Sequence, residues 1–261
     1  MEPILKEEKQ YDHGETQQLL SDVREMFRKR RIVVAEYASP QTFSEKGDDR
    51  EPVEAFQISK CSDPLYASCN GWDDVEKVLD AFDDRLNELL DHMDELLDQN
   101  GELDSESRES LECYGKAVEK CVNVYGVQRR KRMAQLRELS ETAELREELR
   151  RLFTSILSKY IIEALCDPLY ERLKNHAGQI YEMVLLEVNE FLASVGVYTV
   201  NVRSGDGDNP ELIDPTEDSR ENYTENYQLF DKIDKVYRYP YLFADGAKVA
   251  DGKARIWRRR D

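Results

Sequence analysis

The apolar residues of this chain change their spacing at Gly196. Between residues 72 and 195 they recur every three or four positions, which predicts amphipathic helices. After Gly196 they fall into short alternating runs separated by turn residues, which predicts strands. We therefore expect an α+β protein, in which a long helical, coiled-coil-like rod and a helix bundle carry a small C-terminal β domain.

The strongest helical signal begins at Trp72. Its apolar positions are spaced alternately by four and three residues, and the resulting mean period of about 3.5 is typical of helices that pack in pairs. These positions are Val75, Leu79, Phe82, Leu86, Leu89, Met93 and Leu96. Asn100-Gly101 ends the helix, and another helix opens near Ser105, so the two are predicted to fold back as an antiparallel hairpin.

A second helical pattern continues from about residue 105 to 165, so residues 72–165 are predicted to form the hairpin and a long coiled-coil-like helix. Asp167-Pro168 predicts a break, because Asp caps helices and Pro favours the first helical position. Residues 166–195 are then a separate bundle helix. The side chains expected to pack the bundle or a dimer are Leu149, Leu152, Ile156, Leu173, Ile180, Val184, Val188 and Phe191.

Residues 1–71 have a weaker pattern. One short helix is expected over residues 15–31, where apolar residues share a face. Residues 39–69 contain Pro40, Pro52 and Pro64 among many polar residues, which is typical of a loop or linker. We expect this N-terminal region to be partly disordered.

The C-terminal β domain is expected over residues 196–261. Alternating patterns predict strands within residues 197–202, 232–237, 241–243, 247–250 and 254–258. Asp245-Gly246 and Asp251-Gly252 predict tight hairpin turns between the last three of these strands.

Charged residues make up 35% of the chain, and the formal net charge is −18. That charge argues against binding to nucleic-acid backbones or anionic membranes, which both require basic surfaces. It is compatible with a basic or neutral protein partner, or with a helical surface that merely stays soluble. No segment is long and apolar enough to cross a bilayer, and residues 1–8 lack the pattern of a signal peptide. We expect a cytoplasmic protein.

Catalytic and metal-binding patterns are missing from the sequence. The five cysteines include no CxxC pair and the three histidines are scattered, so free thiols and no metal site are expected. Asp206 and Asp208 lack the downstream Glu of a calcium loop, which favours a flexible turn. No nucleophile elbow, phosphate-binding loop, dinucleotide fingerprint or HExxH motif occurs. We expect a protein that is not an enzyme and carries no cofactor.

Several stretches keep the order and spacing seen in GrpE-type nucleotide exchange factors, although each motif alone is weak. They are the leucine-rich helix at residues 181–194 with its Val195-Gly196-Val197 corner, Ile213-Asp214-Pro215, Tyr239-Pro240-Tyr241, Asp245-Gly246, and the basic stretch at residues 127–132. The second half of the chain therefore resembles that family. It departs from the family where a His normally follows Asp-Pro and where Ala247 replaces an Arg.

The resemblance implies a homodimeric co-chaperone of protein folding and the stress response. Its β domain would open the nucleotide-binding domain of a DnaK-class chaperone and promote ADP release. By this resemblance the contacting residues are Tyr239, Tyr241, Asp245, Gly246 and Lys248. The alternative is a non-enzymatic coiled-coil scaffold or assembly protein whose β module binds another protein.

Overall fold

The structure, a computed structural model, describes residues 56–99, 104–175 and 179–259. Predictions for residues 1–55, including the helix at residues 15–31, lie outside these described residues. The helical elements are α1 (Trp72–Gln99), α2 (Ser105–Leu136), α3 (Thr142–Ile156), a π-helix (Leu157–Cys166), α4 (Asp167–Asn175) and α5 (Gln179–Ser194). Short 3-10 helices cover Leu65–Ser68, Glu217–Arg220 and Tyr227–Leu229.

Phe82 of α1 lies at the centre of an antiparallel helix bundle. Its ring stacks on Phe153 of α3 with the centroids 4.2 Å apart, and it also contacts Tyr125 of α2 and Phe191 of α5. The phenol of Tyr125 donates a 2.7 Å hydrogen bond to the carbonyl of Leu79. The predicted stripe of α1 is buried along its length, so its spacing identified the core-facing side correctly.

The prediction of a single helix over residues 105–165 is wrong. α2 ends at the buried Leu136, residues 137–141 form a turn, and α3 and the π-helix run back along α2. An ion pair between Arg132 and Glu148 joins the two arms near the turn. Folding back buries apolar side chains that an isolated rod would expose to water. The described residues therefore contain an α+β fold with a helix bundle, and a long coiled-coil rod is not shown.

The sequence predicted a break in the helix at Asp167-Pro168, but the structure shows none. The π-helix leads directly into α4, and the backbone N–H of Asp167 donates to the carbonyl of Ile162, five residues earlier. Such wide turns loosen the regular hydrogen-bond ladder, and Pro168 has no N–H to contribute to it. The chain therefore accommodates Pro168 inside a continuous helical run. Within the expected bundle helix the structure describes α4 and α5, and residues 176–178 lie outside the described residues.

The residues predicted to pack a bundle do so within one chain. Leu149, Leu152 and Ile156 are buried on α3, and Ile180, Val184, Val188 and Phe191 are buried on α5. Leu173 packs against the same core but remains partly exposed.

Within residues 197–259, eight short strands follow α5. They are β1 (Val197–Thr199), β2 (Ile213–Pro215), β3 (Tyr223–Thr224), β4 (Ile233–Arg238), β5 (Tyr241–Phe243), β6 (Lys248–Ala250), β7 (Gly252–Ile256) and β8 (Arg258–Arg259). One antiparallel sheet has the order β1-β5-β6, and a mixed sheet has the order β2-β7-β4. A third, parallel pair joins β3 to β8.

The hairpin predicted at Asp251-Gly252 is a crossover between sheets. β6 pairs with β5, whereas β7 pairs with β2 and β4. A Cβ atom on Gly252 would lie 2.8 Å from Cδ of Pro240, so the chain passes too close to Pro240 for a side chain at this position. Gly252 is needed for that close approach and not for a hairpin turn.

Residues 56–71, predicted to belong to a separate N-terminal region, pack into the core. Phe56, Ile58 and Tyr66 are buried. The N–H of Thr199 donates to the carbonyl of Ile58 at 3.0 Å, so this segment lies along β1. The boundary predicted at residue 71 therefore falls inside the folded unit.

No helix among the described residues is long and apolar enough to cross a membrane.

Candidate protein-binding site of the β module

Gly196 fixes where the β module, residues 197–259, starts from the helix bundle. Its φ of +86° is a conformation that other residues rarely adopt. A Cβ atom at this position would lie 2.5 Å from the Cα of Pro64. The carbonyl of Gly196 accepts a 2.9 Å hydrogen bond from the N–H of Ala244. The corner therefore holds α5, the segment around Pro64 and the end of β5 together.

A partly buried ionic cluster joins the module to the helices a second time. The guanidinium of Arg238 on β4 donates to both carboxylate oxygens of Asp167 on α4, at 3.1 and 2.8 Å. Lys253 on β7 donates to the same carboxylate at 3.1 Å. The Arg238 side chain is only 9% exposed, so its charge depends on this partner. These hydrogen bonds hold the module against α4.

The turn between β5 and β6 presents two of the predicted contact residues. Asp245 and Gly246 are exposed, and Gly246 has a φ of +86°. One carboxylate oxygen of Asp245 accepts a 3.0 Å bond from the N–H of Ala247, and the other accepts a 2.7 Å bond from the phenol of Tyr66. These contacts fix the turn while leaving its outer surface open.

Lys248 lies next to this turn at the start of β6. Its ammonium donates to the Asp251 carboxylate at 2.7 Å and to the Glu211 carbonyl at 3.2 Å. The side chain is 47% exposed, so a partner can still reach it. Asp245, Gly246 and Lys248 together form what we call the hairpin tip.

Two predicted contact residues, Tyr239 and Tyr241, do not lie on the surface. They are 3% and 1% exposed, respectively. Tyr241 lies beside Cys166, and burial raises the pKa of that thiol to about 12. All three residues of β5 are buried, so both faces of this strand are covered. These tyrosines therefore support the hairpin tip from beneath and cannot contact a partner in this conformation.

Two exposed tyrosines of the module were missed by the sequence analysis. Tyr223 and Tyr227 are 51% and 75% exposed. Tyr223 on β3 is paired with Arg258 on β8, whose guanidinium lies 3.0 Å from the Asp231 carboxylate. Tyr and Arg are enriched where proteins bind each other. The sequence does place two aromatic residues in the otherwise polar stretch of residues 221–228, where no alternating apolar pattern assigns them to a core. That placement could have indicated that both are exposed.

The chemistry of these surfaces is that of non-covalent contact. The hairpin tip offers a carboxylate, an ammonium and a bare glycine backbone, and the second surface offers two phenols and a guanidinium. The cavity among Phe56, Cys166 and Tyr241 measures about 10 Å³, which is too small to enclose a ligand. Within residues 56–99, 104–175 and 179–259, no three His, Cys, Asp or Glu side chains come together as metal ligands.

No protein-family model, curated protein or solved structure matches this chain.

Proposed function

We propose that this chain is a GrpE-type nucleotide exchange factor that acts on a DnaK-class chaperone in the cytoplasm. The observation that carries the proposal is the order of elements after α5. The last bundle helix turns at Gly196 into the β module, Ile213–Pro215 forms the edge strand β2 of the mixed sheet, and the Asp245-Gly246 turn is exposed. These landmarks follow one another in the order that the sequence resemblance implies.

The proposed mechanism is differential binding. A partner whose nucleotide-binding domain opens and closes shifts towards the open form when a ligand binds that form more tightly. By linkage, the affinity for ADP falls by the same factor. A rigid binding element suits this task, because a loose one would adapt to both forms. The Asp167–Arg238 ion pair and the Gly196 corner are the contacts that hold the β module to the bundle in this proposal. No covalent bond is made or broken.

The hairpin tip is the contact surface in this proposal. Lys248 supplies a positive charge, Asp245 a negative one, and Gly246 allows a partner backbone to approach closely. Tyr239 and Tyr241 keep an indirect role beneath the tip, as the packing that holds it.

The homodimer implied by the resemblance remains a prediction. The side chains expected to join two copies, among them Leu152 and Val188, are already buried within one chain. Four helical arms of a single chain thus form the core that was expected from a pair, and a dimer would have to use other surfaces.

Nucleotide release tests this proposal directly. The full chain is added to a DnaK-class chaperone from the same organism that has been loaded with a fluorescent ADP analogue. We expect faster release with the wild-type chain and a rate reduced about tenfold for Lys248→Glu. Lys77→Glu is the matched control, since Lys77 lies on α1 with its side chain 75% exposed. Release that stays at its basal rate with saturating wild-type chain would contradict the proposal.

The second candidate is a non-enzymatic scaffold or assembly protein whose β module binds another protein. Exposure of Tyr223 and Tyr227 favours it, because neither residue belongs to the hairpin tip. Under this candidate, Tyr223→Ser with Tyr227→Ser removes partner capture from cytosol, whereas Lys248→Glu leaves it intact. The reverse pattern favours the exchange factor.

A further inference from the structure

The side of α2 that points away from the bundle core is exposed along most of the helix. Leu111, Val118 and Tyr125 face the core and are buried, whereas the residues half a helical turn away are exposed. We call that exposed side the outer face of α2. It is formed by Glu109, Glu112, Lys116, Lys120, Asn123, Val127, Arg130 and Lys131.

Apolar surface lies in the middle of the outer face. Val127 is 41% exposed. Together with Val124 and with Tyr160 of the π-helix, it lines a shallow groove of about 540 Å³ beside α2. Covering these side chains would remove apolar surface from water, so a contact here is favourable.

The charges on the outer face change sign from one end to the other. Glu109 and Glu112 lie towards the N-terminus of α2, whereas Arg130 and Lys131 lie about 30 Å further along it, and all four are exposed. Glu112 is also 3.7 Å from Lys116, but both side chains are largely exposed, so this contact is weak and can be exchanged for another. The outer face is therefore negative at one end and positive at the other.

A face with this polarity is complementary to a second copy of itself in one orientation. In a two-fold symmetric contact, the same surface is used by both copies, so residue i meets residue j and residue j meets residue i. If two α2 helices run antiparallel and cross near Lys120, Glu109 and Glu112 of each copy lie opposite Arg130 and Lys131 of the other. A parallel arrangement would place like charges together instead.

We propose that two copies of this chain associate through the outer face of α2, with the two helices antiparallel. Near the crossing point, Glu119 of each copy reaches Lys120 of the other. The methylene stem of Lys116 covers Val127 of the other copy while its ammonium stays in water. This contact gives a surface to the homodimer of the proposed function, whose expected packing residues are buried within one chain. The inference itself depends only on α2.

The net charge of −18 opposes the approach of two copies at low ionic strength. At physiological salt, exposed charges more than about 8 Å apart are largely screened from each other. Facing side chains of two packed helices lie within that distance. The pairs across the outer face therefore contribute, whereas most of the remaining charge of the two chains is screened.

Charge reversal tests this arrangement by sedimentation of the full chain at physiological salt. The basic variant carries Glu109→Lys with Glu112→Lys, and the acidic variant carries Arg130→Glu with Lys131→Glu. Either variant alone places like charges opposite each other, and its self-association should weaken about tenfold or more. An equimolar mixture of the two places opposite charges together at every one of these positions. The mixture should therefore associate at least as strongly as the wild type.

The matched controls make the same changes of net charge on α1. Asp84→Lys with Asp91→Lys corresponds to the basic variant, and Lys77→Glu with Arg85→Glu corresponds to the acidic one, since all four side chains are exposed. Each control, and their equimolar mixture, should associate like the wild type. Val127→Asp should weaken association, and circular dichroism checks that every variant is folded.

Three results would overturn the proposal. The first is a wild-type chain that stays monomeric over the whole concentration range, in which case the outer face has another occupant or none. The second is a wild-type dimer that both charge-reversed variants retain. The third is a mixture of these variants that remains monomeric. Sedimentation involves no chaperone and no nucleotide, so failure of this interface and failure of the exchange-factor proposal are distinguishable.

Discussion

The Arg238 guanidinium lies 2.8 Å from Oδ2 of Asp167, and this ion pair joins β4 to the first residue of α4. Arg238 also donates a 3.0 Å bond to the carbonyl of Asp251. Since the arginine is buried, its guanidinium is hydrogen-bonded to these protein groups in place of water. The pair therefore couples the integrity of the β module to that of the helix bundle.

Asp167→Ala should lower the free energy of unfolding by about 2–3 kcal/mol, because it leaves the buried Arg238 charge without its carboxylate. Chemical denaturation in urea measures the change. Glu88→Ala is the control, since Glu88 forms a 2.7 Å pair with Arg85 and both side chains are about half exposed. That variant should lose less than about 0.5 kcal/mol. Equal losses in the two variants would show that the buried pair has no special role.

Gly196→Ala should be severely destabilising. The new Cβ would meet the Pro64 backbone at 2.5 Å, in addition to the cost of a positive φ. We expect a loss of at least about 3 kcal/mol in thermal or urea unfolding. Gly205→Ala is the matched control, because Gly205 has a φ of +91° and no atom lies within 4 Å of the added Cβ. The control should lose only about 1–2 kcal/mol, and a similar loss in both would exclude the clash.

The fold should lose stability as pH rises above 10. Burial raises the pKa of Tyr125 above its usual value of 10, and burial likewise raises the pKa of Tyr241. Below pH 10 both phenols are neutral in the folded and unfolded states, so their contribution is fully present. Above pH 10 the unfolded chain releases protons that the folded chain retains. For each phenol, the free energy of unfolding then falls by about 1.4 kcal/mol per pH unit, until the phenol also ionises in the folded state.

Urea unfolding at a series of alkaline pH values measures this slope. Tyr125→Phe should lose about 1 kcal/mol near neutral pH, because its hydrogen bond to Leu79 is gone, but its alkaline slope should be shallower. Leu111→Val perturbs the same core without removing a phenol and should keep the wild-type slope. If Tyr125→Phe kept the wild-type slope, ionisation of the Tyr125 phenol would not be a cause of the alkaline loss of stability.

The turn at residues 137–141 predicts a short distance between α2 and the π-helix. Spin labels at Lys120 and Lys159, in a chain where the exposed Cys113 is replaced by Ser, should give a separation under about 30 Å by double electron–electron resonance. One continuous helix would separate these positions by about 60 Å. Lys120 and Lys131 serve as the reference pair, because both lie on α2 about 17 Å apart along its axis. A distance of about 60 Å between Lys120 and Lys159 would instead support one continuous helix over residues 105–165.

Local patterns predicted the helices and strands better than their arrangement. The stripe of α1 and the strands β4 to β7 were found because spacing along the chain reports which side faces a core. The reversal after Leu136 was missed, because Leu136 and Leu139 keep helical spacing through it. Thr142 and the preceding Ser140 were the available signs of a new helix start. Whether a helix continues or folds back depends on the tertiary burial of residues such as Phe153, which spacing does not report.

The site was predicted only in part. Asp245-Gly246 was identified because an Asp-Gly pair has strong turn preferences of its own. Tyr239 and Tyr241 were assigned to the surface, yet both are buried, and β5 is the central strand of its sheet with all three residues buried. A short strand cannot show by alternation that both of its sides are buried. Tyr223 lies in β3 and Tyr227 in a 3-10 helix, and both segments are too short for the sequence to show a periodic pattern.

The bond from Thr199 to Ile58 spans 141 residues of sequence and closes the outer edge of β1. A fragment that starts at α5 would lack this cover and expose an unpaired strand edge, which invites intermolecular strand pairing. During synthesis, the segment around Ile58 cannot make this contact until the chain has been extended to Thr199, about three quarters of its 261 residues. Truncated versions for crystallisation or display should therefore retain residues from Phe56 onwards.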